Sequence, residues 1–345
     1  MFARWWCVTS PKLPFANGWY RVATSDEIVP GAVLPLRFFG RELVLLRTAA
    51  GDARVLDAFC PHLGAHFGYG GVVEGETIVC PFHGWRFSDD GVCVNVPYAK
   101  TPPPLVGKKC IRSWPVTERN QCIYVWYHAR GQSPAYEVQA IPELAAPDEW
   151  TDMVWKQWTI RCQAIDVVEN LFDVAHVKPV HKSDADVQCQ FDGYRSVITA
   201  NPAGRRRHGT VLTYLNGPGQ GWSRHDQLLP FLVLTHVTPI DHEQVVWHIG
   251  VTISRAKNRD KDSIKAWIVN VVHHLAEQDI PIFEHKVHRV SPPLCEEDAL
   301  IGDFRAWYQQ FCDEPAREVT PQFARADVAE MGASIVHTFL RAGDE

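Results

Sequence analysis

Two short segments each pair a sulfur ligand with an imidazole: Cys60-Pro61-His62, and further on Cys80-Pro81-Phe82-His83-Gly84-Trp85. One thiolate and one imidazole from each of two loops is the donor set of a [2Fe–2S] cluster whose two cysteines hold one iron and whose two histidines hold the other. Each loop must then straddle the cluster. Neutral imidazole in place of anionic thiolate removes negative charge, so such a centre is easier to reduce than an all-cysteine one. Gly64, Gly68, Gly70, Gly71 and Gly84 let backbone N–H groups come close to bridging sulfides. Structural zinc also accepts two cysteines and two histidines. Zinc knuckles, however, pair like with like, whereas these pairs are mixed and each cysteine precedes a proline. The chemistry expected is one-electron transfer.

A second set of ligand types lies between Glu169 and His181, with Asn170, Asp173 and His176 spaced by threes. That spacing predicts a helix carrying the three along one side. Pro179 disfavours helical geometry at Lys178, so the helix is expected to end there, with His181 in the turn beyond and able to swing back towards His176. Two histidines and one carboxylate make a facial triad that leaves positions open for O2. Asp173 is better placed to accept the second N–H of His176 than to ligate. Asp262, Glu277, Asp279, Glu284 and Asp298 all stay open as the carboxylate on spacing alone. Asp279 has one distinction: Pro281 should bend the helix that carries it and so aim it inward.

The elements that must position these groups divide in two. Residues 18–130 read as short strands separated by turns: Arg41–Arg47 and Arg54–Phe59 as a hairpin, then Thr77–Cys80, a strand pair turning at Asp90-Gly91, and Cys122–Tyr127. Residues 131–148 are rich in proline and glycine and read as a linker. Beyond them, strands at 197–200, 210–215, 231–237 and 245–253 accompany helices at 263–289, 297–311 and 322–341, an α+β pattern. The expected division is 1–140, an all-β cluster domain, and 141–345, a catalytic domain. Residues 182–275 should line a substrate pocket, apolar in outline through Phe231, Leu232, Val233, Trp247, Ile249 and Trp267.

Composition narrows the function classes. With 345 residues there is chain enough for two cores, and 46% hydrophobic with 21% charged content is that of an ordinary globular protein. A net charge of −6 gives no reason to expect nucleic acid or an anionic membrane as partner. No apolar run approaches the roughly 18 residues of a membrane span, and the start of the chain lacks the features of an export signal. Of ten cysteines, the eight outside the two loops follow no disulfide framework, so they read as reduced thiols and the compartment as cytoplasmic. Gly217-Pro218-Gly219-Gln220-Gly221 opens no βαβ unit and is no dinucleotide fingerprint. Electrons must come from a partner, which Lys100, Lys108, Lys109 and Arg112 could help to receive.

Together these residues resemble the terminal oxygenase component of the Rieske non-haem iron oxygenases, and among them the 3-ketosteroid 9α-hydroxylase branch. The likeness runs from Asn17-Gly18-Trp19-Tyr20 through both ligand segments to Phe311. It includes 148–152, Glu277-Gln278-Asp279-Ile280-Pro281-Ile282, 293–298 and Phe304–Tyr308. Glu169, where Asp often stands, and Cys312 depart from it.

The resemblance implies a Rieske domain followed by a helix-grip domain with an antiparallel sheet. It also implies a cluster held by Cys60, His62, Cys80 and His83, and ferrous iron held by His176, His181 and Asp279. Asn170 would stand near the iron without tight ligation. Asp173 would bridge His176 to a cluster histidine of a neighbouring subunit in a head-to-tail homotrimer. The expected activity is monooxygenation of a bulky hydrophobic molecule, a steroid or polycyclic aromatic compound, with O2. An NAD(P)H-dependent reductase would supply electrons, directly or through a ferredoxin. Desaturation, demethylation and arylamine N-oxygenation share the scaffold, and a Rieske electron carrier is the rival outside oxygenase chemistry.

Overall fold

The computed structural model describes residues 12–202, 210–226, 230–255 and 261–313. In chain order its first half contains β1 (Gly18–Thr24), β2 (Val33–Phe38), β3 (Arg41–Arg47), β4 (Ala53–Asp57), β5 (Val72–Glu74), β6 (Thr77–Val79), β7 (Arg86–Ser88), β8 (Cys93–Asn95), β9 (Ser113–Trp114), β10 (Val116–Arg119) and β11 (Cys122–Tyr127). They form three antiparallel sheets, ordered β1-β11-β10, β2-β3-β4-β9 and β5-β6-β7-β8.

Strand β3 explains how one sheet can serve two cores. Leu43, Val44, Leu45 and Leu46 are all fully buried, and successive side chains of a strand point to opposite faces. Leu43 and Leu45 pack with Tyr20, Val55, Ile123 and Val125. Val44 and Leu46 pack with Phe67, Ile78, Cys60, Cys80 and Trp85, directly beneath the two cysteine–histidine loops. The apolar run read from sequence as one strand is therefore a wall between a general core and the floor of the cluster site.

The second half contains β12 (Val154–Ile160), α1 (Ala164–Glu169), α2 (Val177–His181), β13 (Ala185–Asp192), β14 (Arg195–Pro202), β15 (Val211–Asn216), β16 (Gln220–His225), β17 (Phe231–Pro239), β18 (Val245–Ile253), α3 (Lys261–His285) and α4 (Ala299–Tyr308). One seven-stranded antiparallel sheet, ordered β12-β18-β17-β16-β15-β14-β13, carries the helices on one face. Val237, Trp247, Ile249, Val251 and Leu215 bury against Val167, Val168, Ile268, Phe283 and Phe304 of α1, α3 and α4. The opposite face buries Leu232, Leu234 and Trp222 with Ile141 and Trp150. The architecture is α+β, as expected.

The two halves dock through turns. Phe39 and Gly40 have φ of 56° and 66°, the left-handed pair of a tight hairpin between β2 and β3. Their N–H groups donate to the carbonyls of Pro239 and Ile240, at 2.9 and 2.8 Å, and the Phe39 ring packs against Tyr20, Trp114 and Tyr127. A non-glycine residue at positive φ persists only where its surroundings over-determine it. From the other side, the β15–β16 turn presses on the first half so closely that a Cβ at Gly219 would lie 2.3 Å from the carbonyl oxygen of Trp19. Close approach, rather than nucleotide binding, accounts for the glycines at 217–221.

Some sequence expectations need correction. Strands β1, β2, β5, β9 and β10 of the first half and β12, β13 and β16 of the second were not anticipated: Lys156 and Gln157 interrupt the apolar pattern of β12, and glycine with polar residues fills β16. The helix expected at 263–289 spans 261–285. The one expected at 297–311 is α4 with a 3-10 turn at each end, Glu296–Asp298 and Gln309–Phe311. The helix expected at 322–341 lies outside the described residues. Trp267 is 66% exposed, and Leu232 faces away from the helices.

Candidate metal centres

The two cysteine–histidine loops fold as near copies. Cys60 N–H donates to the carbonyl of Ala65 at 2.8 Å, and Cys80 N–H to that of Trp85 at 2.8 Å. Gly64 and Gly84 return their N–H groups to the carbonyls of Cys60 and Cys80 at 3.0 and 3.1 Å, each with positive φ. Only a residue without Cβ takes that turn without strain. Both cysteines are buried, and burial pushes the Cys60 thiol up to about 12, with the neighbouring Cys80 thiol adding to it. Nearby cations or a bound metal would be needed to keep the thiolate.

The histidines of the loops make the case for a bound group. Nδ1 of His62 and Nδ1 of His83 are both buried and neither has a hydrogen-bond partner. Buried polar atoms are rarely left unpaired. The two rings lie 4.7 Å apart between centroids, and His62 stacks on Trp85 at 4.5 Å with the planes 6° apart. Trp85 is anchored in turn through its Nε1–H to the Tyr98 hydroxyl, at 2.9 Å. Two buried thiols and two orphaned imidazole nitrogens fit the mixed-ligand [2Fe–2S] cluster.

The second centre forms where α1, α2 and α3 meet. The expected single helix through Asn170, Asp173 and His176 does not form. Helix α1 ends at Glu169 with Asn170 as its C-cap, residues around Asp173 turn, and α2 begins after His176. Pro179 does not end the helix. It is the third residue of α2, within the first turn, where backbone N–H groups have no intrahelical partner to lose. His181 is therefore the last residue of α2 rather than part of a turn beyond it. His176, the N-cap of α2, and His181, its last residue, bring their Nε2 atoms to 3.3 Å across this one short helix.

From α3, Asp279 Oδ1 lies 3.3 Å from His181 Nε2, and one ligand atom from each of His176, His181 and Asp279 falls within 4.8 Å of the others. Asp279 is buried, and that burial raises its pKa despite the two histidines. Such a carboxylate calls for a cation, and two imidazoles with one carboxylate suit ferrous iron. Asn170 turns its amide nitrogen to Asp279 Oδ2 at 3.1 Å and to His176 Nε2 at 3.3 Å. It is a donor to the ligands rather than a ligand.

The remaining carboxylates named from sequence are engaged elsewhere. Glu277 pairs with Lys156 at 2.5 Å, Glu284 accepts from the Arg161 backbone, and Asp298 accepts from the Cys295 N–H at 3.1 Å. The Asp262 side chain lies outside the described residues. Asp173 also differs from expectation: its backbone carbonyl, not its carboxylate, meets His176 Nδ1, while its Oδ1 accepts the His176 backbone N–H at 3.2 Å. Sequence reading missed Gln278, whose Oε1 lies 2.9 Å from His181 Nδ1. An amide has no ligand signature, and only adjacency to Asp279 could have marked it. Glu169, the departure from the family pattern, forms a two-pronged pair with Arg305 at 2.5 and 3.1 Å that ties α1 to α4.

Comparison with known proteins places this geometry. Residues 18–115 match the Rieske [2Fe-2S] domain, and residues 125–312 match the 3-ketosteroid 9alpha-hydroxylase C-terminal domain. A 3-ketosteroid-9-alpha-monooxygenase oxygenase component of Rhodococcus rhodochrous is 31% identical over 86% of this chain and 81% of its own. A cholesterol 7-desaturase of Ciona intestinalis is 29% identical over 89% of this chain and 70% of its own. In fold, the chain is similar to dicamba monooxygenase, with a TM-score of 0.71 at 16% identity, covering 88% of this chain and 98% of that one. By the domain pair and by the reach of these relatives along its length, the chain belongs to the 3-ketosteroid 9α-hydroxylase branch of the Rieske non-haem iron oxygenases.

Proposed function

We propose that this chain is the terminal oxygenase of a steroid-hydroxylating system, with its iron held by His176, His181 and Asp279 and its cluster by Cys60, His62, Cys80 and His83. The observation that carries the reading is the convergence of His176 Nε2, His181 Nε2 and Asp279 Oδ1 in a chain that also has two orphaned histidine Nδ1 atoms beside buried thiols. When bound, the cluster supplies single electrons and the ferrous ion activates O2 for attack on a C–H bond.

The protein's own groups do the rest. The carbonyl of Asp173 fixes the proton of His176 on Nδ1, so that Nε2 is the unprotonated nitrogen that would ligate. Asn170 holds Asp279 Oδ2, so that Oδ1 is the oxygen turned to the histidines. The sheet face turned to α1 and α3 is apolar through Val233, Val237, Trp247 and Ile249. The names of the relatives, a ketosteroid monooxygenase component and a cholesterol desaturase, support a steroid.

Electrons come from a separate reductase, since the relatives are oxygenase components. We assign residues 1–140 to the cluster domain and 141–345 to the catalytic domain, and infer a head-to-tail homotrimer. The cluster loops are rimmed by exposed Phe59, Leu63, Tyr69, Phe82 and Tyr98, a surface suited to burial against a neighbour. Asp173 would carry the electron across that interface from a neighbour's cluster histidine to His176. No disulfide joins the nine cysteines among the described residues, which supports a cytoplasmic setting. No helix of the described residues is long and apolar enough to cross a membrane.

Desaturation is the second reading, favoured by the likeness to a cholesterol desaturase. A substrate panel of steroids, arylamines and methoxy- or methylamino-aromatics, run with a surrogate reductase and analysed by mass, decides among them. Addition of one oxygen atom to a steroid is expected. Loss of two hydrogens would assign desaturation, and turnover of aromatics alone would overturn the steroid reading.

A further inference from the structure

Gln278 stands immediately before Asp279 on α3, and its two amide partners settle its orientation. Oε1 lies 2.9 Å from Nδ1 of His181, and Nε2 lies 3.2 Å from Nε2 of His274. His274 is one helical turn earlier, on the same side of α3. An amide oxygen only accepts and an amide nitrogen only donates. His181 must therefore carry its proton on Nδ1, and His274 must present an unprotonated Nε2.

We propose that Gln278 is a positioning residue for the mononuclear metal: it fixes His181 as the Nδ1–H tautomer and aims its Nε2 at the centre. The proposal rests on the reading of His176, His181 and Asp279 as the iron site. The need for such a residue follows from the local fold. His181 is the last residue of a five-residue helix, followed by Lys182 in the left-handed conformation. Its ring packs edge-on against that of His176 and meets Asp279, but neither contact reaches Nδ1. A hydrogen bond from long helix α3, which also carries Asp279, ties the second histidine to the same rigid element as the carboxylate.

The chemistry of the tie also matters. His176 Nδ1 meets a backbone carbonyl and His181 Nδ1 meets an amide carbonyl, both uncharged oxygens. Of the three ligands only Asp279 brings negative charge, so the site stays electron-poor; Asp173 Oδ2 lies beside a ligand ring, 3.9 Å from His176 Nδ1. Partners of this kind commonly set metal affinity by about 10–100-fold.

The test is anaerobic titration of protein stripped of its mononuclear metal but retaining its cluster, with Fe(II) in competition with a chelator and with Co(II) followed by its visible absorption. Gln278→Leu should lose about 10–100-fold in Fe(II) affinity and shift the Co(II) bands. Gln278→Glu, which keeps an acceptor oxygen, should bind within a few-fold of the parent. The reduced-cluster paramagnetic signal, unchanged in both, shows that the fold survives. Parent-like affinity and Co(II) bands in Gln278→Leu would overturn the proposal, as would an equal loss in Gln278→Glu. His181→Ala separates the two claims. If it loses the metal while Gln278→Leu does not, only the positioning role falls; if it binds as the parent does, the metal site itself is misassigned.

Discussion

Asn170 and Asp279, 109 residues apart in sequence, meet at 3.1 Å through the amide nitrogen of one and Oδ2 of the other. The contact joins the end of α1 to the C-terminal third of α3 and occupies Oδ2, while Oδ1 lies 3.3 Å from His181 Nε2. Replacing Asn170 with Leu removes the donor and should let the carboxylate rotate. Iron affinity should fall by about 10-fold, with the cluster spectrum unchanged. Chelator competition on the purified variant checks this; undiminished affinity would show that Asn170 does not orient the ligand.

Asp173→Asn keeps the size of the side chain and its backbone carbonyl, the group that meets His176 Nδ1. Iron content should therefore hold. Turnover should nonetheless fall by about 10–100-fold, because the charge proposed to bridge subunits is gone. Metal analysis beside product formation separates the two effects, and parent-like turnover would remove the electron route through Asp173.

The exposed rim of the cluster loops makes a prediction about assembly. Phe82 and Leu63 are 61% and 63% exposed in the single chain. Phe82→Asp with Leu63→Asp should convert the proposed trimer to monomers in sedimentation velocity, with the cluster absorption intact. A trimer that persists would place the subunit interface elsewhere.

Part of the first half was legible in the sequence because its signals are local, whereas β1, β2, β5, β9 and β10 were not anticipated. Arg41–Arg47 and Cys122–Tyr127 are apolar runs that are strands with the same bounds, and the cluster loops announce themselves by residue type. The residues that converge at the candidate metal centre were named from the sequence, but their geometry was not. Threefold spacing through Asn170, Asp173 and His176 suggested one helix, yet the chain breaks between α1 and α2, so that Asn170 caps α1 while His176 and His181 stand at the two ends of α2 with their Nε2 atoms 3.3 Å apart. Periodicity does not register such a break. Gln278 and Arg305 were invisible as site residues because their roles exist only through partners far along the chain.

The Glu169–Arg305 pair should be a structural keystone. Both side chains are largely buried and joined by two hydrogen bonds. Glu169→Ala leaves an uncompensated guanidinium and should cost about 3–5 kcal/mol in urea unfolding, whereas Glu169→Ala with Arg305→Met should recover part of that loss. Equal losses in the single and double variants would argue against pairing as the cause.

Stability should fall as the solution becomes acidic. His225, stacked on Phe231 at 4.0 Å, has its pKa lowered by burial to about 4, and burial holds His236 and His248 well below their ordinary value. Between the unfolded value of 6.5 and the folded one, the unfolded chain binds protons that the folded chain does not. Stability from these groups is thus complete above about pH 6.5 and drains away below it, by at most about 1.4 kcal/mol per pH unit for each histidine. Thermal unfolding between pH 7.5 and 5 checks the slope, which His225→Gln should flatten.

The most direct test of the whole account is a count of iron and acid-labile sulfide per chain, with the reduced-cluster signal recorded on the same anaerobic sample. The parent should contain about three irons and about two sulfides per chain. Asp279→Ala should keep the signal and both sulfides but lose one iron. Zinc in the cysteine–histidine loops, or a parent chain whose iron is all accounted for by the cluster, would contradict it.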